Sequence, residues 1–176
     1  MAHLPPMVDA ALSVARALGY DRACSDGMGL FLQVLASSVV RGRMLIYGAG
    51  TGVASAWIIQ TMSPYARLVA YEPNSRLAKA SRPIIGEKAV VVEEEPGEVL
   101  RRGPFSFVFV NVARNRVPPA NLVDEIVPGG MVVVGNFGSE ATEEVVEEWE
   151  QVDGFTSTKV LVEGNETALV LTRQVV

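Results

Sequence analysis

A glycine-rich stretch, "IYGAGTGVASAWI" at residues 46–58, constrains the fold of this chain more than any other feature. Gly48, Gly50 and Gly52 follow an apolar run and precede a helical pattern. Glycine permits positive φ and a close approach of the backbone to a ligand, and the first N–H groups of a helix attract anionic groups. The stretch therefore predicts a strand, a tight turn and a helix, and it favours a nucleotide-type cofactor over a purely structural turn.

The same alternation of strand and helix runs along most of the chain. Residues 5–18 and the segment "SDGMGLFLQVLASSVV" from residue 25 predict two helices ahead of a first strand at residues 43–47. Next come a predicted helix at 53–62, a strand at 68–71 and a helix in "SRLAKASRPI" limited by Pro83. They are followed by a strand in "KAVVVEE", a short helix in "PGEVLRR" and a strand in "FSFVFVNV". The last units of this part are a helix at 121–126, a turn at "VPGG", a strand in "MVVVGNF" and an acidic helix at 139–151.

The end of the chain has a different pattern. The stretch "TSTKVLVEGNETALVLTRQV" contains two strand-like runs joined at residues 163–165, which is a hairpin signal. Strand–helix units followed by a hairpin predict an α/β protein with a mostly parallel sheet and an antiparallel edge. We expect residues 1–42 to form a helical cap and residues 43–176 to form a single folding unit.

Length and composition exclude several classes of function. The 176 residues fit one domain, and the net charge of −5 with scattered arginines argues against nucleic acid as a partner. One cysteine, Cys24, and one histidine, His3, leave no Cys/His zinc cluster and no Ser-His-Asp triad. The sequence shows no secretory signal and no apolar run near the ~18 residues of a membrane span. We therefore expect a cytoplasmic protein without a membrane partner.

Glu72 is the first polar residue after the second predicted strand and lies twenty residues beyond Gly52. A carboxylate at that place can accept hydrogen bonds from both hydroxyls of a ribose, although a solvated strand end is the alternative interpretation. The dinucleotide fingerprint G-x-G-x-x-G requires glycine where this chain has Val53. The G-x-G-x-G spacing and the terminal hairpin both favour S-adenosylmethionine over NAD.

These motifs resemble the class I S-adenosylmethionine-dependent methyltransferases, most of all the catechol-type O-methyltransferases, over nearly the whole chain from about residue 25. The matching stretches are "SDGMG", "LIYGAGTG", "VAYEPN", "EEPGEVL", "FSFVFVNVAR" and "VPGGMVVVGN". The resemblance and the hairpin together predict a Rossmann-like sheet of seven strands in the order 3-2-1-4-5-7-6, with helices on both faces and strand seven antiparallel. The cofactor-binding residues that the resemblance implies are Gly48, Ala49, Gly50, Thr51, Gly52, Glu72, Pro73, Glu95, Pro96 and Asn111.

The resemblance also assigns parts of the cofactor to these residues. The glycine loop would wrap the methionine part, and Glu72 would take the ribose. Pro73 would border the adenine, with Glu95 and Pro96 near its edge.

The chain departs from this family at the positions that carry charge. Ile46 stands where the family has an acidic residue that holds the cofactor's amino group, and losing such a charge-assisted hydrogen bond costs about 1.5–3 kcal/mol. Asn111, Gly135 and Asn136 stand where catechol-type members bind a divalent metal, and amides alone hold a hard cation poorly. Arg114 replaces the lysine base and cannot be deprotonated at ordinary pH. We therefore expect no metal, and no catalytic residue is assigned.

Three functions remain open on the sequence alone. The protein is a metal-independent methyltransferase, a protein that binds S-adenosylmethionine or S-adenosylhomocysteine without turnover, or a structural or interaction protein that has lost the cofactor. The cap is short, so either a homodimer completes the pocket or the acceptor is a small molecule or is carried on a protein. Arg114 and Arg116 would flank the pocket mouth, with ordinary surface arginines as the alternative. Tyr47 is expected in the core, with stacking on the cofactor as the alternative, and Trp57 is expected in the core.

Overall fold

The computed structural model describes residues 4–112, 117–137 and 142–175. Its helices are α1 (Pro6–Leu18), α2 (Asp26–Ser37), α3 (Val53–Ile59), α4 (Ser75–Ile85), α5 (Pro96–Leu100) and α6 (Thr142–Glu150). Its strands are β1 (Gly42–Tyr47), β2 (Ala66–Tyr71), β3 (Ala89–Val92), β4 (Phe105–Asn111), β5 (Ile126–Gly135), β6 (Phe155–Glu163) and β7 (Glu166–Arg173). Within these ranges, no helix has the length and apolar character needed to cross a membrane.

Seven strands in the described part of the chain form one sheet, in the order β3-β2-β1-β4-β5-β7-β6. β1 pairs in parallel with β2 and β4, whereas β7 runs antiparallel to both β5 and β6. The predicted Rossmann-like architecture, its strand order and its antiparallel hairpin are confirmed. The same order places the ends of β1 and β2 side by side, with Tyr47 and Tyr71 as register partners.

Two apolar clusters cover the two faces of the sheet. Side chains alternate between faces along a strand, so Ile46 of β1 joins the cluster formed with α1, α2, α3 and α4. Leu45 and Tyr47 point the other way, into the cluster formed with α5 and α6. Helices therefore lie on both faces, as predicted, and the glycine turn after β1 lies at the edge where both layers meet.

Pro83 does not limit α4, contrary to the prediction, because the helix continues to Ile85 with the proline inside it. A proline removes one backbone hydrogen bond of the helix. Here the loss falls in the last turn, and Ile85 is completely buried in the core. Packing of that side chain keeps the last turn helical.

The segment before the fifth strand also differs from the sequence prediction. Residues 121–126 do not form an α-helix, because Pro119–Asn121 and Val123–Glu125 are two separate 3₁₀ turns and Ile126 already belongs to β5. The predicted turn "VPGG" lies inside β5, where the register with β4 shifts between Phe105 and Phe107. Extra residues at such a bulge leave the ladder without ending the strand. Helix α6 is the described part of the acidic helix predicted at 139–151.

Candidate functional site

The glycine loop joins β1 to α3 and is tied to the end of the neighbouring strand. Gly48, Gly50 and Gly52 have φ values of 90°, 58° and 90°, a region in which a side chain would be strained. The N–H groups of Gly48 and Ala49 both donate to the carbonyl of Tyr71, at 3.0 and 2.8 Å. The loop therefore has a fixed position relative to β2, and its residues 48–52 are all buried.

Glu72 follows β2 directly, and its carboxylate faces this loop. One carboxylate oxygen accepts from the N–H of Gly50 at 2.8 Å, and the other accepts from the N–H of Asn74 at 2.9 Å. The residue is only 2% exposed. A carboxylate has about four acceptor positions, so capacity for two more hydrogen bonds remains after these two contacts. The loop and the carboxylate predicted from sequence are thus brought together in space.

A chain of amide hydrogen bonds crosses the same edge of the sheet. Asn111, at the end of β4, donates to the carbonyl of Gly48 at 3.1 Å. Asn136, just after β5, donates to the side-chain oxygen of Asn111 at 3.0 Å and to the carbonyl of Arg22 at 2.8 Å. Asn136 has a φ of 60°, which asparagine tolerates better than most residues. These hydrogen bonds connect the segment before α2 to the glycine loop through the ends of β4 and β5.

Solved structures of O-methyltransferases are similar to this chain over nearly its whole length. The O-methyltransferase from Bacillus cereus, solved in complex with SAH, has a TM-score of 0.82 and 17% identity, covering 99% of this chain and 93% of that one. The O-methyltransferase TomG from Streptomyces achromogenes, involved in tomaymycin synthesis and solved in complex with SAM, has a TM-score of 0.80 and 20% identity, covering 98% and 91%. The chain has the O-methyltransferase fold.

A third similar structure has the same fold at still lower identity. A putative caffeoyl-CoA O-methyltransferase from Staphylococcus aureus has a TM-score of 0.77 and 11% identity, covering 94% of this chain and 91% of that one. No family model and no curated protein matches the sequence. The structural similarity extends over nearly the full length, so it includes the glycine loop, the end of β2 and the terminal hairpin.

Within this O-methyltransferase fold, the residues at the expected metal positions do not suit a hard dication. The amide nitrogen of Asn111 faces the carbonyl of Gly48, and its oxygen is already bonded to Asn136. Gly135 offers no side chain, and a Cβ there would lie 2.9 Å from the Cε of Met28. Among the described residues, no group of three or more His, Cys, Asp or Glu side chains could hold a metal ion.

Ile46 occupies the position at which the resemblance implies an acidic residue. Its side chain is completely buried and belongs to the same apolar cluster as Met28 and Ala54. A carboxylate at this place would be surrounded by hydrocarbon and would carry a large desolvation cost. The departure at this position is therefore part of the packing of β1 against the helices and not a surface substitution.

A cleft of about 580 Å³ opens on the opposite face of the sheet, beside Tyr47. Pro96 and Gly97 of α5 line it, together with Val117 and Pro118 after β4. Clefts of this size accommodate small organic ligands. Tyr47 is thus both a buried residue, as expected, and a wall of the cleft, which the sequence did not predict.

Tyr47 also forms an aromatic pair with Tyr71, its register partner on β2. Their ring centroids are 4.6 Å apart with the planes tilted by 45°. Burial raises the pKa of Tyr47 to about 12, and the adjoining Tyr71 phenol adds to the rise. Burial also raises the pKa of Tyr71, although the hydrogen bond from Tyr47 opposes it. Both phenols are therefore neutral at physiological pH, and neither can act as a base there.

The remaining predicted residues lie at the same edge of the sheet with different exposures. Pro73, Glu95 and Pro96 are exposed, whereas Thr51 is buried and its hydroxyl has no hydrogen-bond partner among the described residues. Trp57 is buried in the core, as expected. Arg114 and Arg116 lie outside the described residues. The roles given to these residues remain predictions.

Sequence reasoning missed Tyr20, which contacts the loop from the segment between α1 and α2. A Cβ on Gly50 would lie 2.5 Å from the hydroxyl oxygen of Tyr20. The contact joins residues thirty positions apart, and no local pattern around Tyr20 signals it. Only the three-dimensional packing of the cap against the loop reveals this residue.

Proposed function

We propose that this protein binds S-adenosylmethionine across the glycine loop and transfers its methyl group to an acceptor without a metal ion. The observation that carries the proposal is the contact between Glu72 and Gly50, because it places a carboxylate with unused acceptor positions beside a glycine-rich backbone turn. Sugar hydroxyls suit such a carboxylate, and this position beyond the strand ends is where open α/β sheets bind nucleotides.

The other parts of the cofactor have residues that suit them. Backbone groups of the glycine loop would hold the methionine part, since glycine lets a ligand approach the backbone closely. Tyr47, Pro96 and Gly97, which line the cleft, would enclose the adenine. The solved complexes of O-methyltransferases of this fold with SAM and SAH support this choice of ligand.

S-adenosylmethionine supplies a methyl group on a sulfonium centre, which is already electrophilic when bound. The residues of this chain would position the acceptor and exclude water, and orientation alone can contribute about 7–11 kcal/mol to a transfer reaction. The acceptor would have to arrive already nucleophilic, with its proton lost to solvent, because no described residue at this edge is placed as a base. Asn111 and Asn136 would orient the acceptor from the ends of β4 and β5, at the same edge of the sheet as Glu72. No metal takes part in this proposal, because the side chains at the expected metal positions are amides and a glycine.

Binding without turnover is the second candidate function. Ile46 favours it, because its burial removes the acidic partner of the cofactor's amino group, and no described residue at the edge is placed as a general base. A protein of this kind would change its conformation when the cofactor binds. The acceptor in the enzymatic alternative is proposed to be a small molecule, and a second copy of the chain would complete the pocket over the short cap.

Calorimetric titration tests the proposal before any acceptor is known. We expect saturable heat with S-adenosylmethionine and with S-adenosylhomocysteine, and none with NAD⁺, which serves as the matched nucleotide control. Absence of binding heat with both S-adenosylmethionine and S-adenosylhomocysteine would contradict the proposed function. If both bind and S-adenosylhomocysteine is never formed from S-adenosylmethionine with any tested acceptor, the second candidate replaces the first.

A further inference from the structure

The segment of residues 20–25, called the strap here, links α1 to α2 and lies against the glycine loop. Tyr20 is buried together with Ala15 of α1 and Leu77 of α4. Its hydroxyl occupies the space next to Gly50 in which a side chain of that residue would stand. Gly50 donates to Glu72, and Leu77 lies in the first turn of α4, which begins shortly after Glu72. Tyr20 therefore contacts both elements that surround the carboxylate.

Hydrogen bonds hold both ends of the strap. At its start, the N–H of Tyr20 donates to the carbonyl of Ala15 at 2.8 Å and closes the end of α1. At its end, Ser25 caps α2 and its hydroxyl donates to Glu166 of the hairpin. Glu163 adds a second attachment by accepting from the N–H of Gly27 at 2.9 Å.

A side-chain hydrogen bond ties the middle of the strap to the sheet, where Ala23 and Cys24 also pack against the apolar core. Asn136 donates to the carbonyl of Arg22 at 2.8 Å, while the Arg22 side chain itself is exposed. The same amide group of Asn136 donates to Asn111, which is bonded to Gly48. Asn136 and Asn111 therefore connect the strap to the glycine loop.

The strap matters because the carboxylate beneath it is closed off. Glu72 is 2% exposed, yet a ribose must contact it if the proposed function holds. We propose that the strap is a gate, that Asn136 is its latch, and that Tyr20 must turn away from Gly50 before a nucleoside ligand reaches Glu72. Opening breaks the contact of Asn136 with Arg22, while the hairpin keeps Ser25 in place. The identity of the ligand that the gate admits rests on the proposed function, whereas the opening motion does not.

The chain contains its own reporter of this motion. Cys24 is the only cysteine, lies on the strap and is 5% exposed. Burial raises the pKa of the Cys24 thiol to about 12, and the nearby carboxylate of Glu166 adds to the rise. The thiolate is the reactive form of cysteine, so in the closed state this thiol reacts slowly. Opening of the strap exposes it.

The first arm of the test measures the reaction of Cys24 with 5,5′-dithiobis(2-nitrobenzoate) in native buffer without ligand. We expect Asn136→Gly and Asn136→Asp to accelerate the reaction about fivefold or more, because neither donates to Arg22 while both tolerate positive φ. Asn121→Asp is the matched control, at an exposed position on the other face, and should react like the wild type.

Low concentrations of urea distinguish local opening from global unfolding. Local opening exposes little surface, so the labelling rate should stay flat as urea is raised below the unfolding transition. A rate that follows the full urea dependence of global unfolding, in the wild type and in both Asn136 variants, would overturn the gate.

The second arm measures the association rate of S-adenosylhomocysteine by stopped flow. We expect the Asn136 variants to bind faster than the wild type by the factor seen in labelling. Equal association rates in wild type and variants would overturn the gate while leaving the proposed function intact. Accelerated labelling with no binding of S-adenosylhomocysteine would support the gate and contradict the proposed function.

Discussion

The carboxylate of Glu72 accepts a hydrogen bond from the backbone N–H of Gly50 at 2.8 Å, across the ends of two neighbouring parallel strands. The contact joins the two motifs on which the sequence-based prediction of a cofactor rests. It also gives Glu72 a structural role, because the second oxygen holds the N–H of Asn74 at the start of α4. One side chain therefore orders the loop, and under the proposed function its remaining lone pairs would accept hydrogen bonds from the ribose.

Replacing Glu72 should lower the stability of the protein as well as its affinity for the cofactor. Glu72→Ala leaves the N–H groups of Gly50 and Asn74 without their acceptor, and an unsatisfied buried group costs about 1–3 kcal/mol. We expect the free energy of unfolding in urea to fall by at least that amount. Glu87→Ala, an exposed glutamate at the end of α4, is the control and should change it by less than about 0.5 kcal/mol. Equal effects of the two substitutions would mean that the Glu72 contacts contribute nothing.

Restoring an acidic residue at position 46 should destabilise the protein. Ile46 is completely buried between β1 and the helices of one layer, so Ile46→Glu places a carboxyl group among apolar side chains. We expect a loss of about 3 kcal/mol or more in the free energy of unfolding. Ile46→Val, which keeps the site apolar, should cost about 0.5–1.5 kcal/mol. A stable Ile46→Glu variant that binds S-adenosylhomocysteine more tightly would show instead that the position opens to the cofactor.

Divalent metal should affect neither stability nor activity. The amides of Asn111 and Asn136 are committed to hydrogen bonds with each other, with Gly48 and with Arg22, and Gly135 provides no ligand. We expect the melting temperature to be the same in Mg²⁺ and in EDTA, and any methyl transfer to persist in EDTA. Loss of transfer in EDTA that Mg²⁺ restores would refute the metal-free proposal.

Alkaline pH should destabilise the protein through Tyr47. Its pKa is raised from the ordinary value of 10.0 to about 12 in the folded state. Below the ordinary value both states hold the proton, so stability does not depend on this group. Between the two values the unfolded chain releases the proton and the folded chain keeps it, so the free energy of unfolding falls as pH rises. Urea titrations at about pH 9 and about pH 11 should show a smaller fall for Tyr47→Phe than for the wild type; an equal fall would assign the loss to other groups.

The sequence predicted the sheet because its signals are local and redundant. Strands such as β4 are apolar on both faces, as parallel strands covered by helices must be, and the "VEGNET" turn marks the terminal hairpin. The glycine loop and Glu72 were predicted together for the same reason. Each follows a strand directly, and the carboxyl ends of adjacent parallel strands meet at one edge of the sheet.

The errors and omissions involve contacts between distant residues. Pro83 stays inside α4 because burial of Ile85 outweighs a lost backbone bond, and "VPGG" stays inside β5 as a bulge because its neighbours pair with β4. Tyr20 and Asn136 reach the loop and the strap across the fold. No periodicity or spacing in the sequence encodes which carbonyl an asparagine will bond.

The dissociation constant of S-adenosylhomocysteine for Glu72→Gln, compared with the wild type, tests the central claim most directly. This ligand cannot transfer a methyl group, so calorimetry reports binding alone. Glutamine keeps the size of the side chain and one acceptor oxygen but removes the charge and one of the two acceptors. We predict a dissociation constant raised at least tenfold, with Glu87→Gln unchanged as the matched control. An unchanged constant in a folded Glu72→Gln variant would contradict the account, because Glu72 would then serve the loop and not the ligand.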